Sequence, residues 1–216
     1  MERILWLYRL PIDARFPVIC FDERPCFLIG NAIESLAMTA GQVQTEHYED
    51  EKNGSCVLLL AAIEPLTGKR LAKVFDQRRK QEYALFLREL AEMFPEAEKI
   101  RLVQDNLNTD NLSSLYETFP AAEAFALAQR FEFYYRPKKA SWLNMIEIEF
   151  SALARQCLNR RIATKAELER ETAAIVKERM EKAIKIEWQF SIETARTRLN
   201  RHDEQVHTQN SKYKIT

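Results

Sequence analysis

Two short runs constrain the fold of this chain more than any other feature: Val18-Ile19-Cys20-Phe21 and Ile100-Arg101-Leu102-Val103-Gln104. The first is continuously apolar and stops abruptly at Asp22-Glu23. That is the pattern of a strand buried on both faces, and such strands belong to parallel sheets covered by helices. The second run also ends on an aspartate, Asp105. Between them Tyr83, Leu87, Leu90 and Phe94 recur at helical spacing among charged residues. This spacing predicts an amphipathic helix over residues 79–94, closed by Pro95. A strand, a helix and a strand in succession imply a right-handed parallel crossover. Both aspartates are then expected at the C-terminal ends of neighbouring strands.

The remaining elements fill in an α/β domain. Residues 42–48 and 55–63, separated by the turn signal Lys52-Asn53-Gly54, read as a hairpin, and residues 71–75 as the next strand of an antiparallel meander. Residues 113–130 read as helical, with Pro120 opening a second segment, and residues 131–135 as a short aromatic strand stopped by Pro137. Leu143, Ile146, Phe150, Leu153 and Cys157 advance by threes and fours, as on a core-facing helix. A charged helix is expected over residues 164–185 and a short one over 192–199. The expected architecture is a mixed five-stranded sheet, antiparallel meander plus parallel strands, flanked by helices with extra C-terminal helices. Residues 1–160 form its core, 161–200 a helical extension and 201–216 a frayed polar tail.

Composition narrows the function classes. The 216 residues carry 32 Lys and Arg against 32 Asp and Glu, so overall charge points to no obligatory nucleic-acid partner. The distribution is uneven: residues 136–216 hold 17 basic and 11 acidic side chains, a net of +6, leaving −6 for residues 1–135. Cys20, Cys26, Cys56 and Cys157 show no C-x-x-C spacing, and with only His47, His202 and His207 no zinc cluster can be built from sequence neighbours. The cysteines read as buried thiols of a reducing compartment. No apolar run approaches the roughly 18 residues of a membrane span, and a cytoplasmic protein is expected.

Two aspartates on one edge of a sheet stand where open α/β folds bind ligands. Aspartates also end strands simply to solvate a loop or cap a helix, but two on the predicted parallel pair favour a site. Glu147, one helical turn from both Leu143 and Phe150, flanks the apolar stripe and can complete the set. Three carboxylates without histidine or thiolate make an all-oxygen site, which selects Mg²⁺ or Mn²⁺ over zinc. Two such ions, roughly 3.5–4 Å apart, clamp the attacking and leaving oxygens of a phosphodiester. Glu149 is expected to face water. Glu23, alternating to the other face of its strand, reads as an ion-pair partner.

Three blocks carry a family resemblance: Val18-Ile19-Cys20-Phe21-Asp22-Glu23-Arg24-Pro25, Leu102-Val103-Gln104-Asp105-Asn106-Leu107-Asn108-Thr109 and Ser141-Trp142-Leu143-Asn144-Met145-Ile146-Glu147. Through them the chain resembles the DDE transposase domain of bacterial insertion sequences in the Tc/mariner superfamily, over most of its length. The resemblance implies an RNase H-like fold and makes Asp22, Asp105 and Glu147 a catalytic, metal-binding triad with Asn106 and Asn144 beside it. It implies two Mg²⁺ or Mn²⁺ ions. It further implies a reaction in which water attacks a phosphodiester at a transposon end and the freed 3′ hydroxyl then attacks target DNA at a TA dinucleotide. Relatives often have histidine where this chain has Asp110 and Lys139, and the interval from Asp105 to Glu147 is longer than usual. Complete relatives also carry an N-terminal helix-turn-helix region, whereas here the first block begins at residue 18. The resemblance therefore implies a catalytic half alone, from a truncated, split or frameshifted reading frame whose helix-turn-helix part could be separately encoded, and the other reading is a catalytically silent remnant that only binds DNA or other proteins.

Arg136, Lys138 and Lys139 precede the third block, and Arg155, Arg160 and Arg161 follow it. These six are the candidate contacts to double-stranded DNA. Trp142 is expected in the core, and the 164–185 helix as a solvated helix packed by one face. A homodimer is implied for the active assembly, because transposases cut two ends within one assembly, and a nucleoid-associated bacterial location follows from the same resemblance.

Overall fold

The structure is a computed structural model that describes residues 1–31, 50–105, 112–137 and 140–197. In chain order the elements are α1 (Glu2–Leu7), β1 (Val18–Asn31), β2 (Asp50–Ile63), β3 (Arg70–Phe75), α2 (Lys80–Met93), β4 (Ile100–Gln104), α3 (Ser113–Thr118), α4 (Ala121–Arg130) and β5 (Phe131–Tyr135). A 3-10 turn at Ser141–Leu143, α5 (Ile146–Gln156) and α6 (Lys165–Glu181) follow, and residues 192–197 form a last helical segment. The sheet order is β3-β2-β1-β4-β5. β1, β2 and β3 run antiparallel as a meander, while β1, β4 and β5 are parallel.

Period-two alternation sends side chains to two cores. Ile19 and Phe21 of β1, Leu58, Leu60 and Ala62 of β2, and Ile100 and Leu102 of β4 face α2 and the α3–α4 pair. Cys20, Leu59, Ala61, Ile63 and Val103 face α1, α5 and α6. The apolar character of Val18–Phe21 follows from this double burial. α2 buries the stripe Tyr83, Phe86, Leu87 and Leu90, as its spacing predicts, and Pro120 precedes the first turn of α4, whose start its fixed φ favours.

Two boundaries differ from the sequence reading. β1 does not stop at Asp22 but runs on to Asn31, paired throughout with β2. The Lys52-Asn53-Gly54 signal lies inside β2 rather than in a turn. The register explains it: Phe27 opposes Cys56 and Ile29 opposes Lys52, so β2 carries extra residues there. A polar, glycine-containing stretch suits such a bulge. The strand expected over residues 42–48 and the tail over 201–216 lie outside the described residues.

α6 starts on a capping arrangement. Thr164 Oγ1 accepts the Glu167 N–H at 3.2 Å, and Glu167 Oε2 accepts the Ala163 N–H at 3.3 Å. One face of α6, Leu168, Thr172, Val176 and Arg179, is buried, as expected of a charged helix packed on one side. Among the described residues no helix is long and apolar enough to cross a membrane. Cys20 and Cys157 are buried as expected, but Cys26 is partly exposed and Cys56 exposed.

Candidate functional site, an acidic corner at the end of β4

The parallel pairing of β1 with β4 is short: Val18, Ile19 and Cys20 oppose Arg101, Leu102 and Val103. Asp22 and Asp105 each follow the last of these partners by two residues. They therefore stand level where β4 has ended and β1 continues paired with β2 only on its other edge. Two residues is also one full strand period, so both side chains fall on the face of Cys20 and Val103, the face that α5 covers. Glu147 comes to this corner from the first turn of α5.

Local bonds hold the corner in place. Asn144, fully buried, donates from Nδ2 to the carbonyl of Phe21 at 2.8 Å, tying the start of α5 to the residue before Asp22. The Tyr8 hydroxyl donates to the Leu143 carbonyl at 2.7 Å and lies 3.3 Å from Cys20 Sγ. The Glu23 N–H donates to Asp22 Oδ1 at 2.9 Å, fixing the carboxylate's rotamer. Glu23 itself points to the other face and pairs with Arg78 at 2.8 Å, as its alternation predicts. Burial pushes the Asp22 carboxyl up to about 6, and the charges of Glu147 and Asp105 add to the rise. The Glu23 N–H and the Arg136 guanidinium oppose it. Glu147 and Asp105 thus both lie within electrostatic reach of Asp22.

Arg136 directly follows β5. Its backbone N–H donates to the Gln104 carbonyl at 3.0 Å, and its Nη2 donates to Asp105 Oδ2 at 2.6 Å. Among the described residues no three Asp, Glu, His or Cys side chains stand close enough together to hold a metal ion as they are placed. The arrangement is an open acidic corner with one arginine fastened to it. Its chemistry fits a hard divalent cation: three carboxylates supply only oxygen donors, and the buried Cys20 thiol is occupied with Tyr8. The raised Asp22 proton affinity comes first from burial of its carboxyl and only then from the neighbouring carboxylates, whose effect Arg136 opposes.

Other expectations are redistributed. Glu149 does not face water: it is 2% exposed and buried between two arginines. Arg179 donates from Nε to Oε1 at 2.8 Å and from Nη2 to Oε2 at 3.0 Å, and Arg70 Nε stands 3.0 Å from Oε1. The signal was present, because Glu149 lies three residues after Ile146 and four before Leu153, on the apolar stripe itself. Trp142 is not in the core but 48% exposed, packed edge-on against Phe190 with ring centroids 5.0 Å apart. Arg155 and Arg161 are exposed. Arg160 pairs with Glu171 at 2.9 Å and reaches Glu167 at 3.8 Å. Asn106, Asp110, Lys138 and Lys139 lie outside the described residues.

Comparison with known proteins gives the family and the fold. The family model described as DDE superfamily endonuclease matches residues 17–169, more than two thirds of the chain. No curated protein sequence matches. Among solved structures, the Mos1 transposase paired-end complex with left transposon end and the Mos1 mariner paired end complex with Mn each align with a TM-score of 0.56 at 13% identity. Each alignment covers 85% of this chain and 55% of that one. A pre-cleavage Mos1 transpososome aligns with a TM-score of 0.53, also at 13% identity, over 87% of this chain and 61% of that one. The chain thus spans little more than half the length of these transposases, and it shares their RNase H-like fold, a mixed five-stranded sheet flanked by helices. By its matched family model, the chain belongs to the DDE superfamily endonucleases.

Proposed function

We propose that this chain is the catalytic part of a DNA transposase of Tc/mariner type, with Asp22, Asp105 and Glu147 as its metal-holding triad. The observation that carries the reading is the register: Asp22 and Asp105 stand level on the face of α5, and Glu147, in its first turn, acts electrostatically on Asp22. Family membership supports phosphodiester chemistry, and the Mos1 structures of the same fold contain a transposon end or Mn.

In this reading the triad holds two Mg²⁺ or Mn²⁺ ions. When bound, the ions neutralise charge on the phosphodiester and lower the cost of generating the attacking hydroxide or alkoxide. The protein's own contribution is positioning. Asn144 locks α5, and with it Glu147, to β1. The Glu23 N–H orients Asp22, and the Gln104–Arg136 backbone bond fixes the ends of β4 and β5. Cleavage would free a 3′ hydroxyl at the element end, and strand transfer would join it to target DNA. Double-stranded DNA is the partner, a TA dinucleotide the target, and a homodimer with a helix-turn-helix part the working assembly.

The experiment is divalent-dependent nicking of DNA carrying the element's ends. Wild-type protein is expected to nick with Mg²⁺ or Mn²⁺ and not in EDTA, and Asp105→Asn is expected to lower the rate by at least about a thousandfold, as loss of a ligand that stabilises developing charge does. Equal cutting by Asp105→Asn would sink the assignment.

A further inference from the structure

Asp105 carries its own cation in this structure. Arg136 Nη2 sits 2.6 Å from Asp105 Oδ2, with the two side chains 13% and 26% exposed. The pair is sheltered enough for its attraction to exceed that of a surface ion pair. The geometry is set by the sheet. β4 and β5 are parallel neighbours whose last registered pair is Gln104 with Tyr135, so Asp105 and Arg136 are the next residues on each. Arg136 also lies close enough to act electrostatically on Asp22. Among the described residues, the Arg136 guanidinium is thus bonded to Asp105 and acts on Asp22 as well.

We infer that Arg136 is the resident counter-ion of this corner, holding Asp105 until a divalent ion arrives and then transferring its guanidinium to a DNA phosphate. The inference rests on the metal reading above and adds an order of events to it. An ion that takes Asp105 Oδ2 as a ligand must displace the arginine from that oxygen, and displacement leaves a half-buried guanidinium without its carboxylate, which is costly unless a new anion takes its place. A backbone phosphate matches the planar fork of arginine as well as a carboxylate does. Metal and DNA should therefore each favour the other's binding, and by linkage the coupling is reciprocal. The corner stays poorly metallated until DNA is present.

The test measures Mn²⁺ binding by calorimetry, on the full chain, with and without a short DNA duplex. Wild type is expected to bind Mn²⁺ about tenfold more tightly with the duplex than without it. Arg136→Gln is expected to bind Mn²⁺ about tenfold more tightly than wild type without DNA, and to lose most of the DNA effect. Asp105→Asn serves as the control for the site. If Asp105→Asn removes Mn²⁺ binding while Arg136→Gln leaves it unchanged or weaker, the exchange is overturned and the metal reading stands. If wild type binds no Mn²⁺ with or without DNA, both fall. A second measurement does not depend on the variants folding: the side-chain ¹⁵Nε signal of Arg136 in the wild-type protein should shift when Mg²⁺ and duplex are added together. An unmoved signal overturns the exchange.

Discussion

Burial and the nearby charges of Glu147 and Asp105 make the folded chain hold the Asp22 proton more tightly than the unfolded chain does, moving its pKa from the ordinary 3.8 to about 6. A carboxyl whose folded pKa lies above its unfolded value opposes folding once it ionises. The penalty is absent below about pH 4, grows as pH rises towards 6, and is fully present above that. The shift sets a ceiling of about 3 kcal/mol, and residual solvent access brings the expected cost to about 1–2 kcal/mol. Asp22→Asn keeps the Oδ1 acceptor for the Glu23 N–H and removes the charge. In EDTA at pH 7.5 the variant is expected to melt about 2–8 °C above wild type, with the gap closing by pH 3.5. A lower melting temperature for the variant at pH 7.5 would contradict this account. Single residues were unevenly legible in the sequence. Glu23 could be placed because strand alternation is strict, and Asp22 and Asp105 because both close apolar runs. Glu149 was misplaced because a carboxylate on an apolar stripe is only intelligible once Arg70 and Arg179, 79 residues before and 30 after it, are seen to meet it.

β3, α5 and α6 are joined at one corner that depends on two unusual backbone positions. Gly68, before β3, has φ +83°, and a Cβ there would stand 2.7 Å from the Ile184 carbonyl oxygen, a backbone atom with no freedom to move away. That same carbonyl accepts Arg70 Nη2 at 2.6 Å, and Arg70 in turn faces Glu149 on α5. Ala183 ends α6 with φ 45°, and the Ile184 N–H returns to the Arg179 carbonyl at 3.0 Å. Opposite effects are expected from two small substitutions at this corner. Gly68→Ala should destabilise by about 1–3 kcal/mol through the left-handed φ and the contact with Ile184. Ala183→Gly should stabilise by about 0.5–1 kcal/mol by relieving the left-handed alanine. Urea unfolding measures both, and a neutral Gly68→Ala would mean the corner opens at little cost. Elements with a clear period were legible: α2, β4, β5 and the two helical segments around Pro120 lie within a few residues of their expected bounds. The length of β1 was not. Beyond Asp22 its residues mix polar and apolar types, and they are held extended by tertiary contacts, chiefly the pairing with β2.

At the scale of the whole molecule, the chain is electrically neutral while its C-terminal third carries +6, and two of the described basic residues there differ in kind. Arg160 is already neutralised by Glu171 and Glu167 on α6. Arg155, in the last turn of α5, is exposed and has no ion pair among the described residues. It lies eight residues from Glu147, about 12 Å along the helix, which on the proposed function would bring it within reach of the backbone of a duplex cut at the acidic corner. A basic side chain that displaces condensed counterions contributes about 0.9 to the slope of log K against log salt, and one that must first leave an acidic partner contributes less. Neutral net charge should therefore not prevent salt-dependent DNA binding, because only side chains facing the phosphates enter the slope. Measured by fluorescence anisotropy over a salt series, Arg155→Gln is expected to lower the slope by about 0.9, with a similar loss of affinity for any sequence. Arg160→Gln should change it by less than half as much. Equal effects from the two substitutions would mean that the α6 carboxylates release Arg160 on binding, and no effect from Arg155→Gln would move the DNA path off the α5 face.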